Sequence, residues 1–173
     1  MIHPNFQITA LLLIAALAVA GDIRTRRIPN VLTFGGALAA LVYMGATSGL
    51  SGLESAAGGW LVGAALFFPF FALRGMGAGD VKLLAALGAW LGPNDAIWLA
   101  IFAAMAGGVF GIVVAIASGY FRTALRNVWV MLTHWRVAGI QPVPGLTLTD
   151  SKAPRLAYAL PIAAGLVVTL WRH

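Results

Sequence analysis

Apolar residues run in blocks long enough to cross a bilayer along most of this chain, at 6–20, 31–46, 56–73, 81–91, 96–118 and 156–171, with short polar segments between them. About 20 apolar residues in a helix span the hydrocarbon core, and fewer suffice where the membrane thins. The pattern therefore predicts six transmembrane helices, the fourth being the shortest. Small residues within the blocks, among them Gly58, Gly59, Gly63, Gly107, Gly108 and Gly111, suit close helix packing in lipid. The long interval 119–155 divides in two. Phe121, Leu125, Val128, Leu132 and Trp135 recur at helical spacing with Arg122, Arg126 and Arg136 on other faces, which predicts an amphipathic helix lying in the interface. Residues 139–154 carry three prolines and read as an irregular connector. The expected fold is one all-α integral membrane domain over 1–173 without internal repeats.

Composition agrees with this reading and narrows the chemistry. With 61% hydrophobic and 9% charged residues, the chain lies far outside the range of a soluble domain of its size. The absence of cysteine excludes disulfides, Cys-ligated zinc and iron–sulfur clusters. His3, His134 and His173 are too scattered to suggest a metal site, and no cofactor is expected.

A pI near 10.9 raises the question of nucleic acid. The placement of the charges answers it. Alternate threading of the six blocks puts Arg24, Arg26, Arg27, Arg74, Lys82, Arg122, Arg126, Arg136, Lys152 and Arg155 on one side and only Arg172 on the other. This is the distribution that the positive-inside rule produces without a polyanionic partner. It predicts an external N-terminus and cytoplasmic 21–30, 74–80 and 119–155 loops, with the lipid bilayer rather than nucleic acid as the partner. A cleaved signal peptide ending at Ala18-Val19-Ala20 is the competing reading of the first block. It lacks a basic n-region, and cleavage would leave Arg24, Arg26 and Arg27 outside.

Acidic residues number only five, and two of them, Asp22 and Asp80, follow glycine at the ends of apolar blocks on the same predicted face. A carboxylate in that position is costly and usually has a partner or a task. Residues 22–30 read D-I-R-T-R-R-I-P-N. Alone, this is also what an interfacial Asp neutralised by Arg24 or Arg26 would look like. Residues 75–83 read G-M-G-A-G-D-V-K-L. A phosphate loop fails because position 80 is Asp and no Ser or Thr follows Lys82. Asp80 is well placed to cap the next helix, but a cap leaves Gly77 and Gly79 unexplained; glycines there admit close approach of an extended substrate.

The G-x-G-D sequence of Gly77, Gly79 and Asp80 is similar to one shared by type IV prepilin peptidases and by the presenilin and signal-peptide-peptidase proteases. Its continuation through Lys82 and Leu83, together with the upstream segment containing Arg27, Pro29 and Asn30, resembles the prepilin peptidase family over nearly the whole chain. The resemblance implies a membrane aspartic endopeptidase with Asp22 and Asp80 as catalytic dyad, prepilins as substrates, the bacterial inner membrane as location and pilus-assembly machinery as a further partner. Gly77, Gly79, Lys82, Arg27, Pro29 and Asn30 would support the substrate and the loops. Longer family members carry a Cys-bearing N-terminal domain, which this chain lacks. It therefore resembles the short, peptidase-only branch that serves Flp (Tad) pili. At the start of the last block, Leu156-Ala157-Tyr158-Ala159 departs from the I-P-Y-G-like family pattern, so no role is assigned to it.

In such a dyad one carboxylate takes a proton from the attacking water and the other, protonated, donates to the oxyanion. Helix dipoles by themselves would put the charge on Asp80 at a helix N-terminus and the proton on Asp22 at a C-terminus. Lys82 and Arg74 are candidates for pairing with an acidic substrate residue or with lipid phosphate. Two other readings stay open on the residues alone. A presenilin-like protease of unrelated membrane helices leaves the basic 22–30 segment unexplained. A non-enzymatic transporter or secretion scaffold normally carries ionisable groups near the membrane midplane, whereas all of these except Lys82 lie at block ends or in loops.

Overall fold

Glycine and proline stand at several helix boundaries of this chain, among them Pro29, Gly77, Gly92 and Gly139. The computed structural model describes residues 4–143, 145–146 and 156–172. Among them every regular element is helical: α1 (Pro4–Thr25), α2 (Asn30–Ala72), α3 (Ala78–Leu91), α4 (Pro93–Ala117), α5 (Phe121–Ala138) and α6 (Ala159–Trp171).

Helices α1, α2 and α4 are each long and apolar enough to cross a membrane. Helix α2, with 43 residues, would extend ~65 Å if straight, about twice the hydrocarbon thickness. It is not straight. Gly49 leaves helical geometry at φ 63° and ψ −143°, a conformation open to glycine, and the chain doubles back there. Gly52 rests on the carbonyl of Met44, and Gly45 faces Leu53. Farther along, Phe34, Ala37, Leu38 and Leu41 of the first limb line one cavity with Ala57, Trp60 and Leu61 of the second. The apolar blocks at 31–46 and 56–73 are thus the two limbs of a hairpin.

Helix α3 has 14 residues and α6 has 13, giving only ~20 Å each. What α3 lacks in length it makes up in burial: Leu83, Leu84, Ala86, Leu87 and Ala89 are wholly enclosed, and Trp90 nearly so. The second limb of α2 packs directly on it. Gly59 meets Gly88 backbone to backbone, and a Cβ at Gly63 would lie 2.7 Å from the Leu84 carbonyl oxygen. Helices α4 and α6 approach in the same manner at Gly165, where a Cβ would lie 2.8 Å from Ala103 Cα. Ile162 and Leu166 fill the seam beside Leu99 and Ala103. Of the glycines expected to mediate packing, Gly108 does not, since it faces open space.

Contacts at the two ends of the bundle alternate along the chain. At one end Gln7 donates to the Trp90 carbonyl, the rings of Phe6 and Tyr43 lie 4.9 Å apart, and Trp90 packs beside both. Arg172 pairs with Asp95 at 2.8 Å and stacks over Trp98 at this end. The other end gathers Asp22, Asn30, Asp80 and Lys82. Helix α5 buries none of its residues; Leu125, Val128 and Leu132 are exposed along it. His3, Lys152, Arg155, His173 and part of the 139–154 connector lie outside the described residues.

Candidate active site

Asp22 lies in the last turn of α1, farther inside the helix than the apolar block suggested. The turn after it is tight. The Arg26 N–H donates to the Asp22 carbonyl at 2.9 Å, and Arg26 adopts a left-handed φ of 55° that reverses the chain. Gly21 lets residues 27–29 fold back over the helix end, since a Cβ there would already touch the Arg27 carbonyl at 3.4 Å and Pro29 Cδ at 3.5 Å. Pro29, at φ −62°, then caps the start of α2, its carbonyl accepting from Leu32 and Thr33. This folding buries Asp22 to 7% exposure, and its Oδ2 accepts the backbone N–H of Ala159 at 3.2 Å.

Asp80 is the third residue of α3, not its N-cap. Gly77 holds the cap position and the helix begins three residues earlier than the apolar block. The Asp80 carboxylate reaches back to the Gly77 N–H, while the Asp80 N–H donates to the Gly77 carbonyl at 3.2 Å. The carboxylate thus supplies one half of a capping box, and Gly77, with no side chain, cannot supply the other. The two glycines have separate duties. A Cβ on Gly77 would crowd Asp80 Oδ2 at 3.2 Å, so glycine keeps space beside the carboxylate. A Cβ on Gly79 would crowd Ile28 Cβ at 3.3 Å, so glycine there lets the 22–30 turn pack onto the start of α3.

A second link joins the two motifs. Lys82 Nζ donates to Asn30 Oδ1 at 3.1 Å and lies 5.2 Å from the centre of the Phe34 ring. Lys82 is therefore held by the neighbouring motif rather than directed only at lipid or substrate. Arg27 contributes its carbonyl to the turn, accepting from Thr25 at 3.3 Å, with its side chain exposed.

Asp22 comes close enough for its charge to act on Asp80. Asp80 precedes the apolar run of α3. Burial and then the Asp22 charge push its carboxyl well above the usual carboxylate range, against the lowering effect of the Gly77 N–H. Helix dipoles alone favour the charge on Asp80; burial beside a like charge outweighs them.

Residues 8–112 match the type IV leader peptidase family. The chain belongs to that family. Both aspartates, the 22–30 turn and the Gly77–Asp80 segment fall within the matched region. The chain is also 32% identical over 115 residues to a prepilin leader peptidase/N-methyltransferase of Xanthomonas campestris pv. campestris, covering 60% of this chain and 38% of that relative. No solved structure matches. The match of this leader peptidase family member runs from α1 into α4, while α5 and α6 lie beyond it.

Two contributors left no mark in the sequence reading. The Ala159 N–H is a backbone group that any non-proline residue could supply, and only the docking of α6 brings it to Asp22. Ile28 passed as one more apolar residue between Arg27 and Pro29, although its contact with Gly79 explains that glycine.

Proposed function

We propose that this chain is a membrane aspartic endopeptidase that removes the leader peptide from type IV prepilins, with Asp22 and Asp80 as its dyad. The observation that carries the reading is the convergence of these two aspartates, the only acidic residues at their end of the bundle among the described residues, near enough for the Asp22 charge to act on Asp80. Two like charges so placed cannot both ionise cheaply, so the pair shares one proton. The raised carboxyl of Asp80 makes it the proton carrier at rest.

Hydrolysis then follows from the pair's composition. Asp22, unprotonated, takes a proton from water as the oxygen attacks the scissile carbonyl carbon. Asp80 gives its proton to the developing oxyanion. As the tetrahedral gem-diol collapses, one of its hydroxyls returns a proton to Asp80 while C=O re-forms, the C–N bond breaks, and the amine leaves with the proton that Asp22 had taken.

Six crossings accommodate this chemistry: α1, the two limbs of α2, α3, α4 and α6. The alternating contacts at the bundle ends and the excess of Lys and Arg at the dyad end support a cytoplasmic site and an external N-terminus in the bacterial inner membrane. Water reaches that depth and is absent from the bilayer core. Helix α5, with exposed Leu125, Val128 and Leu132 beside Arg122 and Arg126, suits the headgroup layer on the same face. Substrates of the Flp type fit the short peptidase-only resemblance.

The test is incubation of the purified protein in lipid with Flp-type and longer prepilins, read by mass. Cleavage at the leader junction that is lost in both D22N and D80N supports the reading. Unchanged trimming by either amide variant refutes the dyad.

A further inference from the structure

The region beyond the family match holds a feature that the dyad alone does not explain. Ala159 is fully buried, and its N–H is spent on Asp22 at 3.2 Å although 137 residues separate them. The preceding residue, Tyr158, packs edge-on to Phe67 of α2 with ring centres 6.1 Å apart. Its hydroxyl is seated on the backbone of Gly107 in α4, where any Cβ would overlap it. The ring is thus fixed from two helices, directly beside the residue whose N–H meets Asp22.

We propose that Tyr158-Ala159, the lead-in to α6, is a third arm of the site: the Ala159 N–H fixes the Asp22 carboxylate, and the Tyr158 ring, held by Gly107 and Phe67, anchors that N–H in place. The proposal rests on the peptidase reading and concerns positioning residues, since neither group needs to touch substrate. The arm also accounts for a tolerance. A backbone N–H at 159 works with Ala as well as with Gly, so the departure from the I-P-Y-G-like pattern costs the site nothing while the tyrosine stays. The other charged groups on the segments that carry the two aspartates are Arg24 in the last turn of α1, Arg26 and Arg27 after it, and Lys82 of α3, which is bonded to Asn30.

The deciding experiment removes the N–H alone. Semisynthesis with lactate in place of Ala159 keeps the methyl group and converts the amide to an ester. The matched control is an ester at Leu160, whose N–H makes only a local turn bond to the Ala157 carbonyl at 3.2 Å. In lipid, infrared spectra of [4-13C]aspartate-labelled protein give the pH midpoint at which the dyad's carboxylate band appears, identified by its absence in D22N. The ester at 159 should raise that midpoint by about one pH unit and lower kcat/KM about tenfold with KM unchanged, as loss of a charge-assisted hydrogen bond predicts. The ester at 160 should do neither. In Y158A, which removes the ring from Phe67 and Gly107, the midpoint should also rise and kcat should fall without a change in KM. Equal midpoints for the two esters would overturn the Ala159 half, and an unshifted midpoint in Y158A would overturn the anchoring half. If the unmodified protein cleaves no prepilin, the proposed function fails by itself, and the band midpoints still decide the arm.

Discussion

Gly63→Ala tests whether the position of Asp80 is set by the α2–α3 seam. A Cβ at residue 63 would lie 2.7 Å from the Leu84 carbonyl oxygen, 3.0 Å from Ala85 Cα and 3.1 Å from the Leu84 carbonyl carbon. All three atoms are backbone, so no side chain can rotate away. Ordinary contact begins near 3.4 Å, leaving a shortfall of about 0.7 Å that α3 must absorb by moving. Overpacking of this kind costs about 1–3 kcal/mol. Asp80 sits one turn from Leu84 on the same short helix, and displacement of a reacting group by about 1 Å can cost about a hundredfold in rate. Gly108→Ala is the matched control, because nothing lies within 4 Å of its Cβ position. Prepilin cleavage in proteoliposomes and thermal unfolding in detergent should therefore separate the two variants: G63A slow and destabilised, G108A unchanged in rate and equal or better in stability. Full activity and stability in G63A would refute the claim that this backbone contact positions the carboxylate.

Other outcomes follow from the same geometry. D22N and D80N should each lower cleavage by about 10²–10⁴-fold while leaving the fold intact, measured by mass spectrometry alongside circular dichroism. Cleavage should fall as pH rises through the elevated value of Asp80, because the proton donor is then lost, giving a bell-shaped kcat/KM profile. Stability carries the corresponding sign: a carboxyl raised by folding favours the native state below its unfolded value, and that advantage is lost as pH rises through the folded value. The D80N variant should therefore show a flatter dependence of unfolding temperature on pH across that window. K82M and N30A should each cost about 1 kcal/mol, and the double variant should cost less than their sum because both break one 3.1 Å bond. R172M should change stability by at most about 1 kcal/mol and cleavage not at all, since its pair with Asp95 is partly exposed at the end of the bundle opposite the dyad.

The linear order of residues determined a great deal here. Apolar block lengths gave the helical class, because a chain this hydrophobic has few polar groups with which to make anything else. Rarity of acids drew attention to Asp22 and Asp80, since a carboxylate beside a membrane block is too costly to be incidental. Glycine beside Asp80 signalled backbone that something must approach. Helix ends were less legible. The apolar blocks stop where side chains turn polar, whereas hydrogen bonding carries α1 through Asp22 to Thr25 and starts α3 at Ala78. Only the tertiary structure decided what packs on each glycine: Ile28 on Gly79, the Asp80 carboxylate beside Gly77, and α3 backbone on Gly63. It also decided the pairing of Lys82 with Asn30 and the meeting of the Ala159 N–H with Asp22. Apart from Asp80 beside Gly77, these contacts join residues from 21 to 137 positions apart, and local periodicity carries no information about such separations. The balance of charge within the dyad belongs to the same class. Helix dipoles can be read along the chain and favour an ionised Asp80, but burial beside Asp22 exists only once α1 and α3 have packed, and it acts in the opposite direction.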